Sequence, residues 1–199
     1  MTQFLRRRPI VLVASFVLLM SASGWGLISQ AQQPSPPAEL LSLSQTLSTE
    51  LELAFQEAAL AWSAPTAQER DAHMQRAINV LVGSDADAFD ADVGNPGDGH
   101  GAIPYTEKLK EELSGTPWDD FVVTADHVIA FTGFALEHAK ATLAIEDNAD
   151  AREEARKVIG FLKSSLGCRG DAPTTGGALS ITSALEDASQ SNVFSMLRD

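Results

Sequence analysis

Residues 40–62 read LLSLSQTLSTELELAFQEAALAW, and this stretch decides the fold class. Its apolar side chains recur every three or four positions, as they do along one face of an α-helix. The stripe that they form consists of Leu40, Leu43, Leu47, Leu51, Ala54, Ala58 and Trp62. We predict one long helix that begins after Pro36-Pro37 and ends near Ser63-Ala64-Pro65.

The same period indicates a second and a third helix. Thr66 and Glu69 have the spacing of a capping box, which opens a helix, and Gly83 is a typical helix terminator. The apolar positions between them are Met74, Ala77, Ile78 and Leu81. Residues 104–113 predict a short helix that Gly115 closes.

A long apolar helix follows. Thr116 and Pro117 have the residue types of an N-cap and a first-turn proline. Residues 121–136 are nearly all apolar, which predicts a central helix packed against several neighbours. Asp126 and His127 in the middle of this segment argue against a membrane span.

The remaining sequence predicts further helices. Residues 151–166 carry an amphipathic stripe, with Asp150 as N-cap and Gly167 as terminator. A break at residues 174–177 precedes a weaker pattern of Ile181, Leu185 and Ala188. No run alternates with period two for long enough to indicate a strand. We therefore predict an all-α fold, an antiparallel helical bundle of four to five helices with one long acidic loop.

Residues 1–31 have the composition of an export signal. Arginines at positions 6–8 precede an apolar run from Ile10 to Met20, and Ser29-Gln30-Ala31 is a small-x-small cleavage site. We predict a signal peptide over residues 1–31, a proline-rich linker over 32–37 and the helical bundle domain over 38–199. The protein is then periplasmic or extracellular, without stable membrane insertion after cleavage. An uncleaved membrane anchor is the alternative, because the apolar segment is just long enough to span a bilayer.

The charge of the chain limits its partners. The 199 residues include 14 Lys and Arg against 27 Asp and Glu, a formal net charge of −13. Removal of the predicted signal takes away three arginines and no acid, which leaves −16. Such a surface repels nucleic acid and anionic lipid, so we expect no nucleic-acid partner. The single cysteine, Cys168, cannot form an internal disulfide or a thiolate zinc site.

An acidic loop joins the second and third predicted helices. It carries five aspartates and no Lys or Arg: Asp85, Asp87, Asp90, Asp92 and Asp98. Carboxylates without counter-charges repel one another, and a bound calcium ion relieves that repulsion. We predict a weak calcium site formed by these aspartates. The alternative is a solvated connection that turns at residues 95–99.

Three histidines are candidate cofactor ligands. His127 and His138 lie eleven residues apart, hence on one face of a helix, with Phe131 and Phe134 between them. His73 lies four residues after Glu69, a spacing that places the two side chains next to each other. Haem or metal binding by these histidines would make the protein a periplasmic redox or storage protein. The alternative is that each histidine is hydrogen-bonded to a neighbouring helix.

The sequence contains no catalytic motif. Serine, histidine and aspartate are present, but no Gly-x-Ser-x-Gly elbow places a serine for nucleophilic attack. We therefore expect that the protein is not an enzyme.

The segment from His73 to Gly101 carries a recognisable order of residues. His73 and Asn79 lie on one predicted helix, Gly83 ends it, and the aspartate-rich stretch ends in Asn-Pro-Gly-Asp-Gly at residues 95–99. This order resembles that of uncharacterised exported bacterial helical proteins. The resemblance implies export and an important loop, and no particular reaction. Ala86, Ala88 and Ala91 stand where glycines are expected in those proteins.

Together, these features predict an exported, acidic helical bundle that acts as a binding or interaction module, with a weak calcium-binding loop. Its partner is a protein or a small molecule that the sequence does not identify. The alternative is the metal- or haem-binding redox or storage protein.

Overall fold

The computed structural model describes residues 34–196, and side chains up to residue 191. These residues form six α-helices, one 3-10 helix at Asp119–Phe121 and no strand, so the predicted all-α class is confirmed. The helices are α1 (Ala38–Ser63), α2 (Ala67–Val82), α3 (Ala102–Leu113), α4 (Val122–Ala144), α5 (Asn148–Leu166) and α6 (Ala178–Met196). Their number exceeds the four to five expected, because the weak pattern after residue 178 forms a full helix.

The predicted signal peptide, its cleavage site and the alternative anchor lie outside the described residues. Within residues 34–196, no helix is both long enough and apolar enough to cross a membrane.

Local capping sets the bounds of α2. The Thr66 hydroxyl oxygen accepts a hydrogen bond from the Glu69 backbone N–H and donates one to the Glu69 carboxylate, at 3.2 and 2.9 Å. Gly83, with φ of 77°, ends the helix. Both were predicted, because a cap depends on residues three or four apart.

Two predicted helix starts were wrong. The N-cap of α5 is Asp147, not Asp150, and its carboxylate accepts from the backbone N–H groups of Ala149 and Asp150. Helix α4 begins at Val122 rather than near Thr116. The Thr116 hydroxyl accepts from the Trp118 N–H at 3.1 Å, and a 3-10 turn then precedes the helix.

The core forms where helical stripes meet. Helix α1 packs against α2, α3, α5 and α6, and Leu47, Leu51, Ala54 and Ala58 of its stripe are fully buried. Each buried leucine contributes on the order of 2 kcal/mol of hydrophobic stabilisation. Trp62, the last residue of the predicted stripe, is 47% exposed.

Helix α4 packs against α2, α3 and α5, as expected for a helix with several neighbours. It is nevertheless not enclosed on all sides, because Val123 and Phe134 are 46% and 47% exposed. Phe134 lies beside Phe161 of α5, and a turn at residues 145–147 joins α5 to α4.

Candidate functional site

Asn79 holds the acidic loop against α2. This side chain is fully buried, and its Nδ2 donates to the backbone oxygens of Asp90 and Gly94 at 2.6 and 2.8 Å. Its Oδ1 accepts from the Asp90 N–H at 2.9 Å and from Gln75 Nε2 at 3.0 Å. An irregular segment lacks the regular backbone partners of a helix or sheet. The carboxamide of Asn79 supplies those partners.

Two further contacts fix the course of the loop. Arg76 Nε donates to the backbone oxygen of Val93 at 3.1 Å. At the base of the loop, a Cβ on Gly83 would lie 2.2 Å from the His100 oxygen, and φ at Gly83 is 77°. Only glycine allows both this backbone conformation and this close approach.

The five aspartates of the loop are all exposed, and the two whose carboxylates accept local backbone hydrogen bonds do so in separate turns. Asp90 Oδ1 accepts from the Asp92 N–H at 2.9 Å, and Asp98 Oδ1 accepts from the His100 N–H at 2.9 Å. The part of the chain that the structure describes contains no group of three or more His, Cys, Asp or Glu residues able to hold a metal ion. Calcium binding therefore stays a prediction without support from this geometry.

Asp98 also connects the loop to α3. Its Oδ2 accepts from the Tyr105 hydroxyl at 2.5 Å. Burial and the adjacent Asp98 carboxylate raise the pKa of Tyr105 to about 12. Tyr105 consequently stays protonated at neutral pH and donates to the carboxylate.

Glu50 is a buried acid beneath the loop that was not predicted from the sequence. Its Oε1 accepts from the Asp98 N–H at 3.0 Å, whereas Oε2 is buried and has no partner among residues 34–196. Burial raises the pKa of Glu50, and the charge of Asp98 adds to this effect, although the Asp98 N–H opposes it. The signal was present in the sequence, because Glu50 lies three residues after Leu47 on the apolar face of α1.

The three candidate histidines lie in three different places. His73 Nδ1 contacts Glu57 Oε2 of α1 at 2.7 Å, so its partner is not Glu69. His138 Nδ1 is hydrogen-bonded to Glu154 of α5. His127 is exposed and has no hydrogen-bond partner within the described chain. Two of them thus adopt the alternative arrangement, a hydrogen bond to a neighbouring helix.

Aromatic rings surround a pocket between α4 and α5. The His138 ring stacks on Phe161 at 5.2 Å with an interplanar angle of 10°, and Phe134 and Phe131 lie 5.4 and 6.4 Å from Phe161. The pocket has a volume of about 310 Å³ and is lined by Phe131, His138, Lys157, Gly160, Phe161 and Ser164. The shared stripe of His138 and the two α4 phenylalanines was predicted. Phe161 was not, because it comes from another helix.

A carboxylate organises the polar side of this pocket. Glu154 accepts from Lys157 Nζ at 2.7 Å and is also paired with His138. These hydrogen bonds lower the pKa of Glu154, since both favour its charged form. The pocket therefore combines an apolar aromatic wall with one cationic side chain, Lys157, which is half exposed and paired with Glu154.

The chain matches no protein-family model, no curated protein and no solved structure.

Proposed function

We propose that this protein is an exported, acidic helical-bundle module that binds a partner molecule in the pocket between α4 and α5. The observation that carries the proposal is the set of aromatic rings around this open cavity. A binding role requires no catalytic group, in agreement with the lack of a catalytic motif in the sequence. Mass spectrometry of the exported protein tests the export, with Gln32 expected as its first residue.

The pocket has the properties of a small binding site. Its volume of about 310 Å³ is at the lower end of the range for ligand pockets, which are mostly apolar with a few polar groups. Exposed aromatic surface is costly in water, and covering it with a ligand recovers that free energy. A planar apolar group fits the rings of Phe161 and His138, and Lys157 favours a carbonyl or an anionic group beside it.

The fluorescent probe 1-anilinonaphthalene-8-sulfonate tests the proposal, because it combines a flat apolar ring system with an anion. We expect saturable binding to the wild type. Gly160→Trp should weaken it about tenfold or more, because the indole fills the pocket. A Cβ at Gly160 meets no atom within 4 Å, so the fold accommodates a side chain there.

Gly133→Trp is the matched control. Gly133 is also a helical glycine whose Cβ would meet no atom within 4 Å, and it does not line the pocket. Probe binding should be unchanged in this variant. Equal binding by the wild type and both variants would refute the α4–α5 pocket as the binding site.

The metal- or haem-binding redox or storage protein stays the alternative prediction. A visible absorption band, or stoichiometric metal in protein purified without added metal, would support it and would count against a pure binding module.

A further inference from the structure

Two helical hairpins, α1–α2 and α4–α5, have the same construction at a spacing of 81 residues. Helix α4 ends 81 residues after α1, and α5 begins 81 residues after α2. The N-cap residues, Thr66 and Asp147, have the same spacing. Both turns are therefore closed in the same way, by an oxygen-bearing side chain at one equivalent position.

The packing of the two hairpins is equivalent as well. Every residue of α4 that is buried lies 81 positions after a buried residue of α1, as Ala135 does after Ala54. Each hairpin also has one histidine–glutamate pair between its helices. In the first hairpin Glu57 of α1 pairs with His73 of α2, and in the second His138 of α4 pairs with Glu154 of α5. The positions are equivalent, but the glutamate lies on the first helix of one hairpin and on the second helix of the other.

Because the hairpins are equivalent, the α4–α5 pocket occupies the same position on the second hairpin as the groove beneath the acidic loop occupies on the first. Four lining residues of the pocket correspond to the residues that hold the loop in the first hairpin. The corresponding pairs are Phe131 with Glu50, Lys157 with Arg76, Gly160 with Asn79 and Ser164 with Gly83.

The groove of the first hairpin is filled by polypeptide. Its side chains bind the main chain of the loop at Asp90, Val93, Gly94 and Asp98. Asn79 and the next residue, Val80, are fully buried. The groove between two such helices is therefore a place where this fold accepts a chain segment.

The groove of the second hairpin is lined only by α4 and α5, and no other part of residues 34–191 contributes to the pocket. After α5 the chain contacts the beginning of α4, where the Pro173 oxygen accepts a hydrogen bond from the Thr124 hydroxyl, and it contributes no residue to the pocket. Helix α6 then packs mainly against α1. Phe161, the counterpart of the buried Val80, consequently stays partly exposed.

We infer that the α4–α5 pocket receives a polypeptide segment of a partner protein, in the position that residues 90–101 take on the first hairpin. This inference rests on the proposed binding function and names the class of its partner. The groups that bind the main chain, Glu50 and Asn79, are replaced by Phe131 and Gly160. The segment therefore inserts an apolar side chain against the rings, and Lys157 binds a main-chain oxygen or a carboxylate.

Residues 122–166 are less strongly acidic than residues 34–121, which makes this hairpin the less repulsive of the two as a docking site for an acidic segment. Residues 122–166 contain seven acids and five bases, whereas residues 34–121 contain sixteen acids and four bases. A partner segment that carries acidic residues meets the least repulsion here. A second copy of this chain brings a strongly acidic surface with it, so a different protein is the favoured occupant.

Selection of random peptides displayed on phage tests the inference. Peptides enriched on the wild-type protein are synthesised, and their affinities for wild type, Gly160→Trp and Gly133→Trp are measured by fluorescence anisotropy. We expect Gly160→Trp to bind about tenfold more weakly and Gly133→Trp to bind like wild type. Replacement of the apolar residue of the peptide by alanine should cause a similar loss.

Three results would overturn the inference. No enrichment, or enriched peptides that bind Gly160→Trp as well as wild type, would show that the pocket does not accept polypeptide. If the naphthalene probe still binds in a pocket-dependent manner, the proposed function survives and the ligand is a small molecule. Sedimentation that finds a dimer of the wild type and a monomer of Gly160→Trp would identify a second copy as the occupant.

Discussion

Arg70 of α2 and Arg152 of α5 each donate a hydrogen bond to the turn of the opposite hairpin. Arg70 contacts the backbone oxygen of Ile145 at 3.2 Å and Asn148 Oδ1 at 3.0 Å. Arg152 contacts the backbone oxygen of Ala64 at 2.6 Å. Carbonyl groups at the ends of helices lack intrahelical donors, so each arginine donates to an oxygen that has no donor within its own hairpin.

Arg70→Met should lower the free energy of unfolding by about 3 kcal/mol, because two acceptors lose a charged donor. Arg70→Lys should restore little of this loss, since an ammonium group lacks the planar fork that reaches both atoms. Urea denaturation measures the change. Arg156→Met is the control and should cost less than about 1 kcal/mol, because this exposed arginine pairs, within the described part of the chain, only with the exposed Glu153. If Arg70→Met and Arg156→Met lowered the free energy of unfolding by similar amounts, the contacts of Arg70 would not stabilise the turn.

Asn79→Ala should release the acidic loop. Three hydrogen bonds to the loop backbone are lost, which should cost about 2–3 kcal/mol and raise the rate of proteolysis within residues 84–100. Limited proteolysis followed by mass spectrometry locates the cleavage. Asp92→Asn, which changes an exposed side chain, should leave the rate unchanged. A cleavage rate like that of wild type in Asn79→Ala would mean that other contacts suffice to hold the loop.

Glu50 should make stability depend on pH. Its pKa in the folded state lies above the ordinary value of 4.5, because the carboxyl group is buried. The stabilisation from the bound proton is complete below pH 4.5 and is lost as the pH rises through the folded pKa. Between about pH 5 and pH 7 the free energy of unfolding of Glu50→Gln should therefore fall less than that of wild type.

Urea denaturation at the two pH values measures this difference. Glu154, whose pKa is lowered, acts in the opposite sense but is present in both proteins, so its effect cancels in the comparison. The same pH dependence in both proteins would contradict a role for Glu50.

Calcium binding by the loop is tested by calorimetry. A cation that binds only the folded state raises the melting temperature, so the sequence prediction expects a rise at millimolar calcium. Asp90→Asn combined with Asp92→Asn should abolish that rise and leave the fold intact. Equal melting temperatures of wild type with and without calcium would leave the loop as a solvated connection held by Asn79.

Sequence alone determined most helices and several of their ends. The apolar period of residues 40–62 predicted α1, and Thr66 and Gly83 predicted the bounds of α2. These signals are local, because a helical face and its caps depend on residues three or four positions apart. The cap of α5 was predicted wrongly although its contacts are local too, because Asp147 and Asp150 are the same residue type three positions apart and either could cap a helix.

Only the tertiary structure decided what the candidate sites are. Glu50 becomes a buried acid because a loop almost fifty residues later covers it, and His138 stacks on Phe161 because α4 and α5 pack along each other. The five aspartates lie within residues 85–98, yet the carboxylates of Asp90 and Asp98 accept hydrogen bonds in separate turns. The period of the apolar residues shows which face of a helix is apolar, but it does not show which other helix packs against that face. Contacts between residues far apart in the chain decide which helices pack together. At the exposed pocket, the described chain supplies no such contact to the apolar face.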